Sequence, residues 1–168
     1  HNAMYDVCWI RAVTGKMIEG RIVDTMIAAS VIDENRFKYS LDSLAKDYLD
    51  EEKYKYDLQQ KTLEWSGGTV KDPMTNMHKL PASIVKEYAK QDVNLTYKLW
   101  KLFNKKLDEV LYTNEKKESK TCRNIFELET ELFLCLVDMK FKGVRIDVLK
   151  LRLLGEDLRK KRDDILEE

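Results

Sequence analysis

The sequence predicts an α-rich α/β fold, and three observations support this. Only two prolines and six glycines interrupt 168 residues, which favours long helices over many short strands. Apolar residues recur at spacings of three and four over several stretches, the period of an amphipathic helix. Few segments have the alternation of a strand. Hydrophobic residues make up 43% of the chain, enough to form a packed core.

The first elements are predicted from capping residues. Asn2 is a favourable N-cap for a helix that ends near Gly15. Residues 21–24 (RIVD) are typical of a short strand. Asp24 would then cap the helix TMIAASVI.

Three further segments complete the first half of the chain. Ser40 or Asp42 begins a short amphipathic helix. Residues 51–65 are predicted to be helical, and the pair Gly67-Gly68 ends that helix. Residues 69–79 are predicted to form a loop.

The second half is predicted to contain three longer helices. Pro81 suits the first turn of a helix that runs to about Leu111. The polar stretch TNEKKESK is a predicted linker, and a helix over residues 123–141 follows it, stopped by Gly143. GVRID is short and extended, and residues 148–168 form a highly charged helix.

Charge and cysteine content exclude several classes of protein. The chain has 30 basic and 30 acidic residues, so net charge gives no argument for a nucleic-acid partner. Three cysteines without a paired spacing favour reduced thiols over a disulfide frame or a zinc site. No apolar run is long enough to cross a bilayer. We therefore expect an intracellular protein that makes no membrane contact.

The long helix carries a carboxylate on its apolar side. Its apolar stripe consists of Val85, Ala89, Thr96, Trp100, Phe103, Leu107 and Val110. Asp92 belongs to the same stripe, and Tyr88 lies one turn before it. A carboxylate in an apolar environment requires a hydrogen bond, an ion pair or a metal. A structural capping or ion-paired aspartate and a catalytic one both satisfy this requirement.

The chain opens with a second polar cluster, HNAMYD. Asn2 can cap the first turn, and Asp6 follows Tyr5 on the next turn. A simple N-cap with an exposed aspartate explains this cluster as well as a functional site does.

Taken in order, the motifs resemble a known family. HNAMYD, IVDTMIAASVI, YSLDSLAKDYL and LPASIVKEYAKQDVNLTYKLW resemble the 3′–5′ proofreading exonuclease domain of family A DNA polymerases, phage members included. Asn-x-x-Tyr-Asp resembles the second exonuclease motif and Tyr-x-x-x-Asp the third, in the tyrosine branch of the DEDD nucleases. The segment ending in GVRID is similar to the start of the polymerase domain.

The resemblance implies a ribonuclease H-like DEDDy fold and a role for each motif residue. Asp6 and Asp92 would be ligands of Mg²⁺ or Mn²⁺ in a two-metal site, and Tyr88 would hydrogen-bond the attacking water. Asn2 and Tyr5 would hold the last nucleotides of a frayed single strand. The implied partners are a single-stranded DNA 3′ end and primer-template DNA, in the cytoplasm of a bacterium or of a phage-infected host.

The family's pattern is incomplete in this sequence. Its Asp-x-Glu box precedes the second motif in the family but is missing here, and we reject residues 50–52 as a substitute because they follow that motif in a charged stretch. We therefore expect a fragment of a DNA polymerase, inactive alone. Its predicted parts are a partial exonuclease domain (1–112), a linker (113–122) and the base of the polymerase thumb (123–168).

Two alternatives stay open. The chain could be a non-catalytic helical module that binds DNA through basic clusters, at Lys98, Lys101, Lys105 and Lys106 and at residues 159–162, or that complements a separate chain of a split polymerase. Intervening acidic residues make a solvated helix face the simpler explanation of those clusters. A ribonuclease D-like nuclease is the other alternative.

Overall fold

The computed structural model describes residues 1–51, 55–109, 111–113 and 119–167. Within these ranges the protein is largely helical. The α-helices are α1 (Ala3–Thr14), α2 (Thr25–Ile32), α3 (Leu41–Leu49), α4 (Lys55–Ser66), α5 (Ala82–Lys106), α6 (Arg123–Lys142) and α7 (Val148–Glu167). A short 3₁₀ helix (Met77–Lys79) precedes α5. The helix-rich character predicted from the sequence is confirmed.

Two short strands lie at the predicted linker and pair with each other. Strands β1 (Tyr112–Thr113) and β2 (Ser119–Lys120) form an antiparallel pair in which Tyr112 lies opposite Lys120. Parts of four predictions lie outside the described residues: the start of the fourth helix at residues 52–54, Val110 of the apolar stripe, the linker at 114–118, and residue 168.

The predicted strand at residues 21–24 is wrong. Asp24 has extended backbone angles (φ −113°, ψ 118°), but no strand among the described residues pairs with this segment. Extended backbone becomes a strand only when a neighbouring strand satisfies its N–H and C=O groups. Asp24 itself caps α2 as predicted, because its side chain accepts a hydrogen bond from the backbone N–H of Met26.

Asn2 occupies the N-cap position of α1, but its side chain makes no capping hydrogen bond. Its backbone is left-handed (φ 57°, ψ 47°), and not extended as an N-cap residue usually is. The other predicted helix ends agree more closely with the structure. Ser40 caps α3 by accepting a hydrogen bond from the N–H of Ser43, and Gly143 follows α6 with φ of 67°. Helix α5 ends at Lys106, before the predicted end at Leu111.

Helix α5 lies at the centre of the main core. Its buried residues Leu95, Leu99 and Phe103 pack with α2, α3 and the start of α6. The apolar stripe predicted from the sequence is therefore displaced slightly from the helix face that is buried. Of its members, Ala89 is exposed, and Thr96 and Trp100 are only half-buried.

Two smaller clusters extend the core. Val7 of α1 packs with Phe133 and Val137 of α6, so α6 contacts the first helix of the chain. Leu58 of α4 packs with Leu80 and Tyr88 around the beginning of α5. None of the described helices is long and apolar enough to cross a membrane.

Candidate functional site

The five residues singled out in the sequence line one pocket of about 800 Å³. Asn2, Tyr5 and Asp6 come from the first turns of α1, and Tyr88 and Asp92 from α5. The pocket is open to solvent between these two helices. The fold therefore brings together two clusters that are far apart in the sequence.

The beginning of α1 is held in place by the carboxylate of Asp24. Its Oδ1 accepts a hydrogen bond from the backbone N–H of Asn2 at 2.8 Å, and its Oδ2 accepts one from the N–H of Ala3 at 2.7 Å. Oδ1 also accepts from the N–H of Met26 at 2.8 Å. One buried aspartate, 4% exposed, thus satisfies N-terminal N–H groups of two helices, where a negative charge is also favoured by the helix dipoles.

Tyr88 is fixed by packing. Its side chain is 7% exposed and belongs to the cluster that contains Leu58 and Leu80. The ring forms part of the pocket wall. Burial of the ring restricts its rotation, so its hydroxyl group is held in a defined position relative to the pocket.

Asp92 lies one turn after Tyr88 and is half-buried. Its Oδ1 is shielded from solvent, while the residue contributes to the pocket lining. The expectation that this carboxylate faces inward from the long helix therefore agrees with the structure. Asp6, by contrast, is exposed and lines the pocket from α1.

Several pocket residues carried no recognisable signal in the sequence. His1 bridges two elements, since its Nδ1 lies 2.8 Å from Thr25 Oγ1 and its Nε2 lies 3.0 Å from the carbonyl oxygen of Tyr39. A carbonyl can only accept, so Nε2 donates, and in the neutral imidazole Nδ1 then accepts from the Thr25 hydroxyl. This arrangement explains His1 as a structural residue of the pocket edge.

Two aromatic residues of α5 extend the pocket wall. Tyr97 is exposed, with the Lys101 ammonium 4.8 Å from its ring centroid. Trp100 is half-buried and packs against Phe126, with 5.7 Å between ring centroids. Periodicity alone assigned Trp100 to the core and gave no indication that it also lines the pocket.

The two residues predicted to bind a metal ion both line the pocket, but the described residues add no third ligand to them. Two carboxylates, Asp6 and Asp92, line the pocket, and carboxylate oxygens are the ligands that Mg²⁺ and Mn²⁺ prefer. Among the described residues, no group of three or more His, Cys, Asp or Glu side chains could hold a metal ion. Glu51 from the rejected acidic stretch forms an ion pair with Lys98 at 2.7 Å. The donor type therefore fits a hard cation, and the donor number fits only part of a site.

Two carboxylates and a buried tyrosine around an open pocket are among the side chains found in the active sites of hydrolases. Comparison with known proteins identifies the family. Residues 1–108 match the 3′–5′ exonuclease family of the DNA polymerase A type, and the chain belongs to that family. The family resemblance predicted from the motifs is thereby confirmed.

The relatives are phage and bacterial polymerases. The chain is 31% identical over 160 residues to DNA polymerase DpoZ of Acinetobacter phage SH-Ab 15497, covering 94% of this chain and 24% of that protein. It is 30% identical over 149 residues to DNA polymerase DpoZ of Salmonella phage PMBT28, covering 88% and 22%. DNA polymerase I of Borreliella burgdorferi is 31% identical over 124 residues, covering 74% and 11%.

The chain spans about a quarter of the length of the phage relatives that it matches. No solved structure matches the chain.

Proposed function

We propose that this chain carries part of the 3′–5′ exonuclease site of a DNA polymerase, a site that hydrolyses the 3′ end of single-stranded DNA. The observation that supports this most strongly is the meeting of Asn2, Tyr5, Asp6, Tyr88 and Asp92 in one pocket. Membership of the exonuclease family and the polymerase names of the relatives agree with it.

Each residue has a role that suits its position. Asp6 of α1 and Asp92 of α5 would hold Mg²⁺ or Mn²⁺. Bound divalent cations supply charge stabilisation for the attacking and leaving oxygens of the phosphodiester. Tyr88, held by its buried ring, orients the attacking water through its hydroxyl. Asn2 and the exposed ring of Tyr5 hold the terminal nucleotides at the pocket entrance.

The proposed site needs more carboxylates than the described residues bring to the pocket. Two cations about 3.5–4 Å apart require a larger ligand set than two aspartates. We therefore propose that the remaining ligands, and the central sheet of a ribonuclease H-like fold, come from other residues of a longer polymerase or from a separate chain. On this proposal residues 1–112 belong to the exonuclease domain and residues 123–168 begin the polymerase domain.

Cleavage of a 5′-labelled single-stranded DNA with Mn²⁺ tests the completeness of the site. The chain is expected to shorten the DNA no faster than its Asp92→Asn variant. Shortening from the 3′ end that Asp92→Asn and Tyr88→Phe both abolish would overturn the proposed incompleteness and support the residue roles. Shortening that both variants retain would overturn the roles.

Binding tests the pocket itself, independently of activity. A fluorescently labelled dT₃ with a free 3′ hydroxyl is titrated with the chain in EDTA, and its anisotropy is measured. Tyr5→Ala is expected to weaken binding by about tenfold, because stacking of one base on an aromatic ring contributes roughly 1–3 kcal/mol. Phe37→Ala, at a fully exposed aromatic residue outside the pocket, is the matched control. Equal affinities of the two variants would contradict the proposed role of Tyr5.

A non-catalytic DNA-binding module is the second candidate, and the structure favours it less. Three of the four basic residues of α5 that suggested it have partners within the protein. Lys98 pairs with Glu51, Lys101 lies over Tyr97, and Lys106 lies 6.0 Å from the Tyr48 ring centroid. A ribonuclease D-like function is less favoured too, because the family match and the relatives are of the DNA polymerase type.

A further inference from the structure

A second groove adjoins the candidate site. It has a volume of about 390 Å³ and is lined by Tyr5, Cys8, Trp9, Ala12, Lys140 and Phe141. Tyr5 lines both this groove and the candidate site, so the two adjoin at Tyr5. The groove lies between the outer face of α1 and the last turn of α6.

The groove walls hold exposed aromatic rings. Trp9 is 57% exposed and Phe141 is 41% exposed. Trp9 follows Tyr5 by one helical turn, and their ring centroids lie 6.3 Å apart with an angle of 61° between the planes. The two rings therefore do not stack on each other, and each keeps a face available to another planar group.

The two walls are attached to each other. The Arg11 guanidinium donates to Asp138 Oδ1 at 2.5 Å and also lies over the Phe141 ring, 4.5 Å from its centroid. Beneath them, Val7 packs against Phe133 and Val137. The aromatic rings are thus presented by two helices held together, which lowers the conformational entropy lost when a ligand binds.

The charges of the groove suit an anion. Asp138 is neutralised by Arg11, and Lys140 makes no ion pair with any residue that the structure describes. Aromatic rings combined with a basic side chain in a groove are the features that proteins use for single-stranded nucleic acid.

We propose that Trp9, Phe141 and Lys140 form a base-stacking subsite for single-stranded DNA, which binds a nucleotide upstream of those held in the candidate site. Trp9 supplies a stacking face, Phe141 forms the opposite wall with one ring face covered by the Arg11 guanidinium, and Lys140 contacts a phosphate. This inference rests on the proposed function, because it takes the strand to leave the candidate site past Tyr5.

The test compares oligonucleotides of two lengths by anisotropy in EDTA: dT₃, which fills the candidate site alone, and dT₈, which reaches the groove. Trp9→Ala is expected to weaken dT₈ binding by roughly tenfold and to leave dT₃ binding unchanged. Lys140→Gln is expected to weaken dT₈ binding and to reduce its salt dependence. Phe37→Ala and Lys38→Gln, at exposed positions outside the groove, are the matched controls.

A third oligonucleotide separates stacking from phosphate contact. It has three 3′-terminal thymidines preceded by five abasic sites, so its phosphates remain but its upstream bases are absent. Trp9→Ala is expected to leave its affinity unchanged, whereas Lys140→Gln is expected to lower it. A Trp9→Ala effect of equal size on this oligonucleotide and on dT₈ would overturn the stacking role.

The other outcomes are distinguishable. If the unmodified chain binds both dT₃ and dT₈ and Trp9→Ala behaves as Phe37→Ala does, the subsite is overturned and the proposed function stands. If it binds neither oligonucleotide, both proposals are overturned. A dimer in solution that Trp9→Ala dissociates would overturn the subsite by assigning the groove to a second copy of the chain.

Discussion

Asp24 Oδ1 accepts a hydrogen bond from the backbone N–H of Asn2 at 2.8 Å. These residues belong to different helices, and the bond fixes the first turn of α1 beside α2. Because the same turn brings Tyr5 and Asp6 to the pocket, Asp24 positions the candidate site without lining it.

Replacing Asp24 by asparagine is expected to lower the free energy of unfolding by about 2 kcal/mol, since hydrogen bonds to a charged group contribute about 1.5–3 kcal/mol. The amide would place an NH₂ group against one of the N–H donors that the carboxylate now accepts from. Urea unfolding followed by circular dichroism measures the change. Asp33→Asn is the control, because the Asp33 side chain accepts only from the nearby N–H of Asn35 among the hydrogen bonds described. An equal effect of the two substitutions would contradict the role of Asp24.

The packing of α6 against the preceding helices leads to a second prediction. Phe126 is fully buried with residues of α2, α3 and α5, so Phe126→Ala is expected to destabilise the protein by about 3–5 kcal/mol. Ile125, its neighbour, is 54% exposed, and Ile125→Ala is expected to change the stability by no more than about 0.5 kcal/mol.

The comparison of these two variants bears on the domain boundary predicted near residue 123. A single unfolding transition that Phe126→Ala shifts as a whole would mean that α6 unfolds together with the exonuclease helices. A Phe126→Ala variant as stable as Ile125→Ala would contradict the packing described here.

Local features of this fold were predictable, and features that depend on distant residues were not. Asp24 and Ser40 were identified as caps because a cap bonds to an N–H two or three residues away. The bonds from Asn2 and Ala3 to Asp24 involve residues with no sequence relation to it, and Asn2 was therefore assigned a capping role that Asp24 performs.

For the candidate site too, the sequence indicated the residues that share one helix face but not those that packing brings to the pocket. Asp92 and Tyr88 were recognised because their positions on one helix face follow from the helical period. His1 and Trp100 line the same pocket but were not recognised, since their positions depend on how α1, α2 and α5 pack. The strand at residues 21–24 was wrong because a strand needs a partner that local sequence does not reveal.

The ion pair between Asp108, which follows the end of α5, and Arg123 of α6 predicts a dependence of stability on pH. Arg123 donates to both carboxylate oxygens of Asp108, at 2.8 and 2.7 Å, and this hydrogen bonding lowers the pKa of Asp108 from its ordinary value of 3.8. Because the pKa is lower in the folded state, the ion pair stabilises the protein above pH 3.8, and this contribution is lost as the pH falls through the folded pKa.

Asp108→Asn is therefore expected to lower the melting temperature slightly at pH 7, and this effect is expected to diminish as the pH falls below 3.8. The effect is small because Asp108 is exposed and solvent screens the pair. Glu109→Gln is the control, since Glu109 makes no ion pair with a residue that the structure describes. A difference between wild type and Asp108→Asn that persists unchanged at pH 2 would contradict the assignment.

The proposed ligand role of Asp6 and Asp92 predicts measurable Mn²⁺ binding by this chain. We expect it to be weak, because two carboxylates form only part of a two-cation site. Asp6→Asn and Asp92→Asn should each reduce the affinity for Mn²⁺ by at least about tenfold, since the loss of groups that merely orient a metal ligand already costs 10–100-fold.

Free Mn²⁺ is measured by electron paramagnetic resonance during a titration, which requires no nuclease activity. Asp33→Asn should bind Mn²⁺ as the unmodified chain does. If all three variants bind Mn²⁺ equally, Asp6 and Asp92 are not ligands in this chain, and the pocket must recognise DNA without a cation held by these two residues.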